Sequence, residues 1–163
     1  MGNLEAGFQL ADMHRRGLGT ARDPARAFAL FTELAHEGEV VAEYDLGVSY
    51  EFDNGVPIDY DQAATWYRLV ARHGSLPALF SLGALHAHDR IVPRDDVEGL
   101  ALLLEASARA TGEDPASSFV LQHQPAQARL LTEHMSPADI AQAHARAAER
   151  ERTIVPLGGP ERD

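Results

Sequence analysis

At 163 residues, 45% of them hydrophobic, the chain is of single-domain size and too apolar to be disordered. The formal net charge is −11 and all 14 lysine-or-arginine positions are arginine, which excludes P-loop, Schiff-base and ammonium-base chemistry and argues against a nucleic-acid partner. No cysteine is present for disulfides or thiolate metal sites, and no apolar run is long enough for membrane insertion.

The first predicted unit, about residues 4–38, opens with a helix carrying Ala6, Leu10, Ala11 and His14. A loop containing Gly17 and Gly19 follows. Asp23 is placed to cap a second helix, with Pro24 at its first position. That helix presents Ala27, Leu30 and Phe31 and stops at Gly38. The residues Met1-Gly2-Asn3-Leu4-Glu5 lack the pattern of a leader, so the expected compartment is cytoplasmic, with the periplasm or secretion open if a leader was removed.

The second unit, 39–74, repeats the first at a spacing of 36 residues. Ala42, Leu46, Gly47 and Tyr50 share one face of its first helix. Gly47 costs helix stability there, about 1 kcal/mol relative to Ala, which makes sense if a second helix approaches closely. Asp53-Asn54-Gly55-Val56-Pro57 is turn chemistry, and Asp59 with Gln62 forms a capping-box pattern. Ala63, Trp66, Tyr67, Val70 and Ala71 follow, then Gly74 as a stop. Trp66 is expected at the seam between the two helices, where truncation to Ala would cost about 3–5 kcal/mol.

The third unit, 75–112, carries Ala78, Leu82, Gly83 and His86, then Asp95, Gly99, Leu102 and Leu103 at the same spacing. Asp89 and Ile91 stand where its loop glycines would be. After Gly112 the register fades. Residues 113–152 read as a helical C-terminal cap. Pro115-Ala116 offers a restart of a first helix, but no Gly-Val loop follows and Pro125 interrupts, so two shorter helices are expected: one near Ala126–His134, then another opened by Ser136-Pro137-Ala138-Asp139 and running to about Arg150. The segment 153–163, with Pro156, Gly158, Gly159 and Pro160, reads as a disordered tail.

The pattern Ala-x-x-x-Leu-Gly-x-x-Tyr, then Gly-x-Gly-Val-x-x-Asp-x-x-Lys-Ala-x-x-Trp-Tyr, resembles the Sel-one-like repeat, a relative of the tetratricopeptide repeat. Unit two matches it throughout, from Ala42 to Gly74. Unit one has His14 for the Tyr and Leu30-Phe31 for Trp-Tyr, and unit three departs further. The resemblance covers roughly residues 4–110. It implies an all-α fold, a right-handed superhelical solenoid of helix-turn-helix repeats whose concave groove binds a protein or peptide.

Candidate chemistry is sparse. His86 and His88 are two apart on a helix, about 200° around the axis, so they cannot chelate one ion together. No catalytic residue, cofactor or metal site is assigned, and the chain is not expected to be an enzyme. On the wheel of the second unit, Tyr44 lies about 160° from Leu46, away from the seam, beside Val48, Glu51 and Phe52. Asp12 continues that face in unit one, and Phe80, Ala84 and His88 in unit three. These eight are the candidate partner-binding residues. Phe8, Tyr44 and Phe80 also recur at the repeat spacing. Two readings stay open for those rings: an exposed stripe that holds a peptide, or packing between successive first helices.

No arginine falls between Glu37 and Tyr67, whereas Glu37, Glu39, Glu43, Asp45, Glu51, Asp53, Asp59 and Asp61 do. An acidic groove and a basic or neutral partner are therefore expected. The functional expectation is an adaptor or scaffold. The alternative is an inhibitor or immunity-type protein that covers one enzyme or toxin, with an enzyme a distant third.

Overall fold

The computed structural model describes residues 4–90 and 93–153. These form eight helices without a strand: α1 (Leu4–Arg16), α2 (Pro24–His36), α3 (Val40–Glu51), α4 (Tyr60–Arg72), α5 (Leu76–Ala87), α6 (Asp96–Arg109), α7 (Pro115–Thr132) and α8 (Pro137–Thr153). The first six make three hairpins, each an A helix (α1, α3, α5) followed by a B helix (α2, α4, α6). Each following A-type helix then packs on the preceding B helix, α3 on α2, α5 on α4 and α7 on α6, which stacks the units into a solenoid.

Local chemistry sets the boundaries. The carboxylates of Asp23, Asp59 and Asp95 accept from the backbone N–H groups of Arg26, Gln62 and Glu98 at 2.9, 3.0 and 2.8 Å, so every B helix starts at the same register. Each A helix ends in a left-handed residue, and that position is held by Gly17, Asp53 and Asp89 in turn. Aspartate tolerates this conformation better than most residues, which lets units two and three keep the turn without the glycine of unit one. Ile91 lies outside the described residues.

The seam between A and B helices is as close as Gly47 implies. A Cβ on Gly47 would stand 2.6 Å from the Tyr67 ring, and one on Gly83 would stand 2.7 Å from Leu103. Tyr67 is fully buried, and its hydroxyl donates to Glu51 at 2.8 Å. The other carboxylate oxygen of Glu51 accepts from Arg90 at 2.8 Å, and the Arg90 guanidinium covers the Tyr60 ring. Loops also stack on neighbours: Gly55 sits so tightly on the Pro24 carbonyl that no side chain fits there.

Trp66 is not the seam residue. It is half-buried and packs on the first core cluster, formed by Ala11, Ala27, Leu30, Phe31, Leu34, Ala42 and Leu46. One position further round the helix, Tyr67 takes the seam. The C-terminal region also differs from expectation. α7 is one helix of 18 residues that starts at Pro115 and runs through Pro125, where only a short helix near Ala126–His134 was expected. Pro125 is exposed, and buried Val120 and Leu131 anchor the helix on either side of it, which offsets the missing backbone donor.

α8 opens as expected, with the Ser136 hydroxyl accepting from the Asp139 N–H, but it packs on α6. Buried Ala143 and Ala147 allow a close approach. Arg146 and Arg150 reach Glu98, and Arg150 does so at 2.7 and 2.9 Å. Thr153 is the last described residue of this helix, and the tail from residue 154 onward lies outside the described residues.

In urea denaturation, Tyr67→Ala is expected to lose about 3–5 kcal/mol, as for a fully buried large aromatic, and Trp66→Ala clearly less. Equal losses would contradict this assignment of the seam.

Candidate functional site

The helical wheel places Tyr44 away from the seam, but its ring meets Tyr67 of the B helix α4, so the candidate face borders the seam instead of turning from it. Along α3, helical spacing lines up Val41, Tyr44, Val48 and Phe52. Val41 and Phe52 are 51% and 56% exposed, and Tyr44 and Val48 between them are half-buried. The stripe therefore offers two apolar ends joined by partly covered side chains. In α5 the corresponding residues are Phe80, Ala84 and His88. Phe80 is buried, Ala84 half-buried and His88 exposed. In α1, Asp12 is half-buried and ion-paired with Arg15 and Arg16.

The aromatic residues at the repeat spacing are packed into the structure. Phe8 meets Phe31 at 5.7 Å between centroids, and Tyr44 meets Tyr67 at 5.4 Å while its hydroxyl bonds Ser81 at 3.2 Å. Phe80 meets Phe119 edge-on at 5.3 Å. Phe119, 47% exposed and stacked on His123, is the fourth ring of the series. Sequence reasoning missed it because α7 is displaced by three residues from the repeat register. The signal available was Ser117, small and buried like Ala42 and Ala78, two residues before the ring.

Three consecutive segments of this chain, residues 4–39, 40–75 and 76–110, match the Sel1 repeat. The chain belongs to the Sel1 repeat family. Its fold is similar to that of a Sel1 repeat protein from Oxalobacter formigenes: TM-score 0.60, 20% identity, over 91% of this chain and 73% of that one. It is also similar to a protective antigen present in uropathogenic Escherichia coli strains, which displays an SLR fold: TM-score 0.55, 18% identity, over 99% of this chain but only 43% of that one. Sel1 repeat proteins are generally protein-interaction modules.

Among the described residues, no group of three His, Asp or Glu side chains is arranged to hold a metal, and no helix is long and apolar enough to cross a membrane. His86 is buried at a Sel1 packing position. Its Nδ1 accepts from the Asp95 N–H at 3.3 Å, and burial holds its pKa below the ordinary histidine value.

The acidic run is dispersed by the Sel1 architecture. Asp59 caps α4, and Glu43 and Glu51 are buried. Burial pushes the Glu51 carboxyl up, opposed by the hydrogen bonds and charge from Tyr67 and Arg90. Burial also raises Asp12, but Arg15 and Arg16 outweigh it and hold that carboxyl below its usual range. Asp45 is pushed up to about 6 by burial and by Asp12, with Arg15 opposing.

The Asp45 shift has a pH consequence with a definite sign. A carboxyl raised from 3.8 to about 6 on folding adds stability that is complete below 3.8 and is lost as pH rises through about 6. Asp45→Asn is therefore expected to stabilise the chain by about 1–2 kcal/mol at about pH 7.5, allowing for solvent screening, and by nothing below about pH 4. Urea denaturation at both pH values measures the difference. A gain that is the same at both would show that Asp45 is not held protonated by the fold.

Proposed function

We propose that this Sel1 repeat chain is an adaptor or scaffold that holds a protein partner in the concave groove made by its A helices. The observation that carries this reading is Phe52, a large aromatic more than half exposed at the end of the α3 stripe. Tyr44 on the same stripe and Phe80 one repeat on are already packed against other rings, so they give the groove a rigid wall. Fully burying a side chain of this size is worth about 1.5–3 kcal/mol, enough to make a single ring an anchor. Val41 at the other end of the stripe, 51% exposed, extends the contact by three helical turns.

The partner's charge follows from the whole chain rather than from groove carboxylates. Asp12 and Glu51 are tied to arginines, whereas the net charge of −11 acts at a distance. A basic or neutral partner is favoured by that field, which affects association rate more than final affinity.

The test is to identify a partner by affinity capture and measure its binding to Phe52→Ala by calorimetry. The expected result is a loss of about 2 kcal/mol or more with the helical circular dichroism unchanged. Wild-type affinity in both Phe52→Ala and Val41→Asp, with both variants folded, would refute the groove.

A further inference from the structure

We propose that the cleft between α4, α6 and α8 is a second docking site, which takes an acidic segment of a partner protein around one inserted apolar side chain. This cleft lies between B helices, with Leu79 and Leu82 of the A helix α5 on its floor, and shares no residue with the A-helix stripe. It has a volume of about 580 Å³ and an apolar floor that includes Leu79, Leu82 and Leu102. Its rim carries Arg68, Arg72, Arg109 and Arg150, with His73.

The floor of the cleft departs from unit two at one register position. Trp66 in unit two packs on the first core cluster. Its equivalent one repeat on is Leu102, buried and smaller, which lines the cleft. The polar rim departs from the repeat in the same place. Arg68, Arg72 and Arg109 stand where the preceding unit has Thr32, His36 and His73. The cleft and its arginines therefore occur together where the second and third units meet.

The charge identifies the occupant. Two glutamates line the cleft, and both are already engaged: Glu98 by Arg146 and Arg150, Glu105 by Arg109 and Arg150. Arg109 also donates to the Gly74 carbonyl at 3.0 Å. Arg68 and Arg72 are exposed, four residues apart on one face of α4, and no hydrogen bond or ion pair engages them among the described residues. Two like charges at that spacing repel each other, and a carboxylate between them relieves the repulsion with paired, charge-assisted hydrogen bonds. On a chain of net charge −11, four of the 14 arginines thus gather around one apolar cleft. A segment of alternating acidic and apolar side chains matches both parts of it, whereas a basic segment would be repelled.

The experiment is fluorescence anisotropy on the full chain with a fluorescein-labelled, end-capped peptide, Asp-Glu-Leu-Phe-Asp-Glu. The control is the same peptide with lysine at every acidic position. The acidic peptide is expected to bind and the lysine peptide not to. The double variant Arg68→Gln/Arg72→Gln, which changes only exposed side chains, should weaken binding by about tenfold or more. Leu102→Trp, which puts a larger side chain on the cleft floor, should do the same, and Leu18→Ala, an exposed residue that does not line the cleft, should leave binding unchanged. Undiminished affinity in the double arginine variant, equal binding of the lysine peptide, or no binding of the acidic one would overturn the proposal. So would competition by inorganic phosphate as effective as that by unlabelled peptide, because the cleft would then be a site for a free anion.

Discussion

At Gly47 the backbone of α3 runs so close to α4 that a single methyl group would stand 2.6 Å from the Tyr67 ring. The other long-range features follow from that approach. The ring fits against bare backbone and is fully buried, so its hydroxyl must find a partner inside the protein. Glu51 supplies it, and a carboxylate buried there needs a cation. Arg90 provides the charge from the loop of the next unit and covers Tyr60 on α4. One glycine thus commits an aromatic, an acid and an arginine from two repeats. Gly83 against Leu103 repeats the close seam in unit three without the polar relay.

The repeat period, the Asp caps and the seam glycine were legible in the sequence because each depends on local chemistry or on spacing along one helix. Trp66 and Tyr67 were harder to separate. Both are large, apolar and adjacent, and a rotation of about 100° decides which faces the A helix and which faces the neighbouring unit. The fourth A-type helix was hidden by a three-residue displacement of the register and by Pro125, whose cost is offset by burial of residues on both sides. Of the eight candidate site residues, the structure separates exposed from packed side chains. Phe52 and His88 face solvent, Asp12, Tyr44, Val48 and Ala84 are half-buried, and Glu51 and Phe80 are buried. The acidic run read as one wall because sequence gives charge but not depth, and caps, buried relays and ion pairs absorb much of it.

Two surfaces of different character result from one repeat plan. The A-helix face is apolar and aromatic, and its rings are braced from behind by the seam. The B-helix side carries an arginine-rimmed cleft between α4, α6 and α8, where Leu102 holds the position of Trp66 one repeat earlier. The cleft is lined from α4, α5, α6 and α8, so it belongs to the stacking of units rather than to any single repeat.

The close seam is tested most directly by the stability of Gly47→Ala in urea. Helix propensity alone favours the substitution by about 1 kcal/mol, because alanine is the better helix former. The seam opposes it, because the added methyl meets a ring with no free space around it, and overpacking of this kind costs about 1–3 kcal/mol before any gain from propensity. The account predicts that Gly47→Ala is less stable than the parent chain, with the denaturant slope unchanged. A variant as stable as the parent, or more stable, would contradict it.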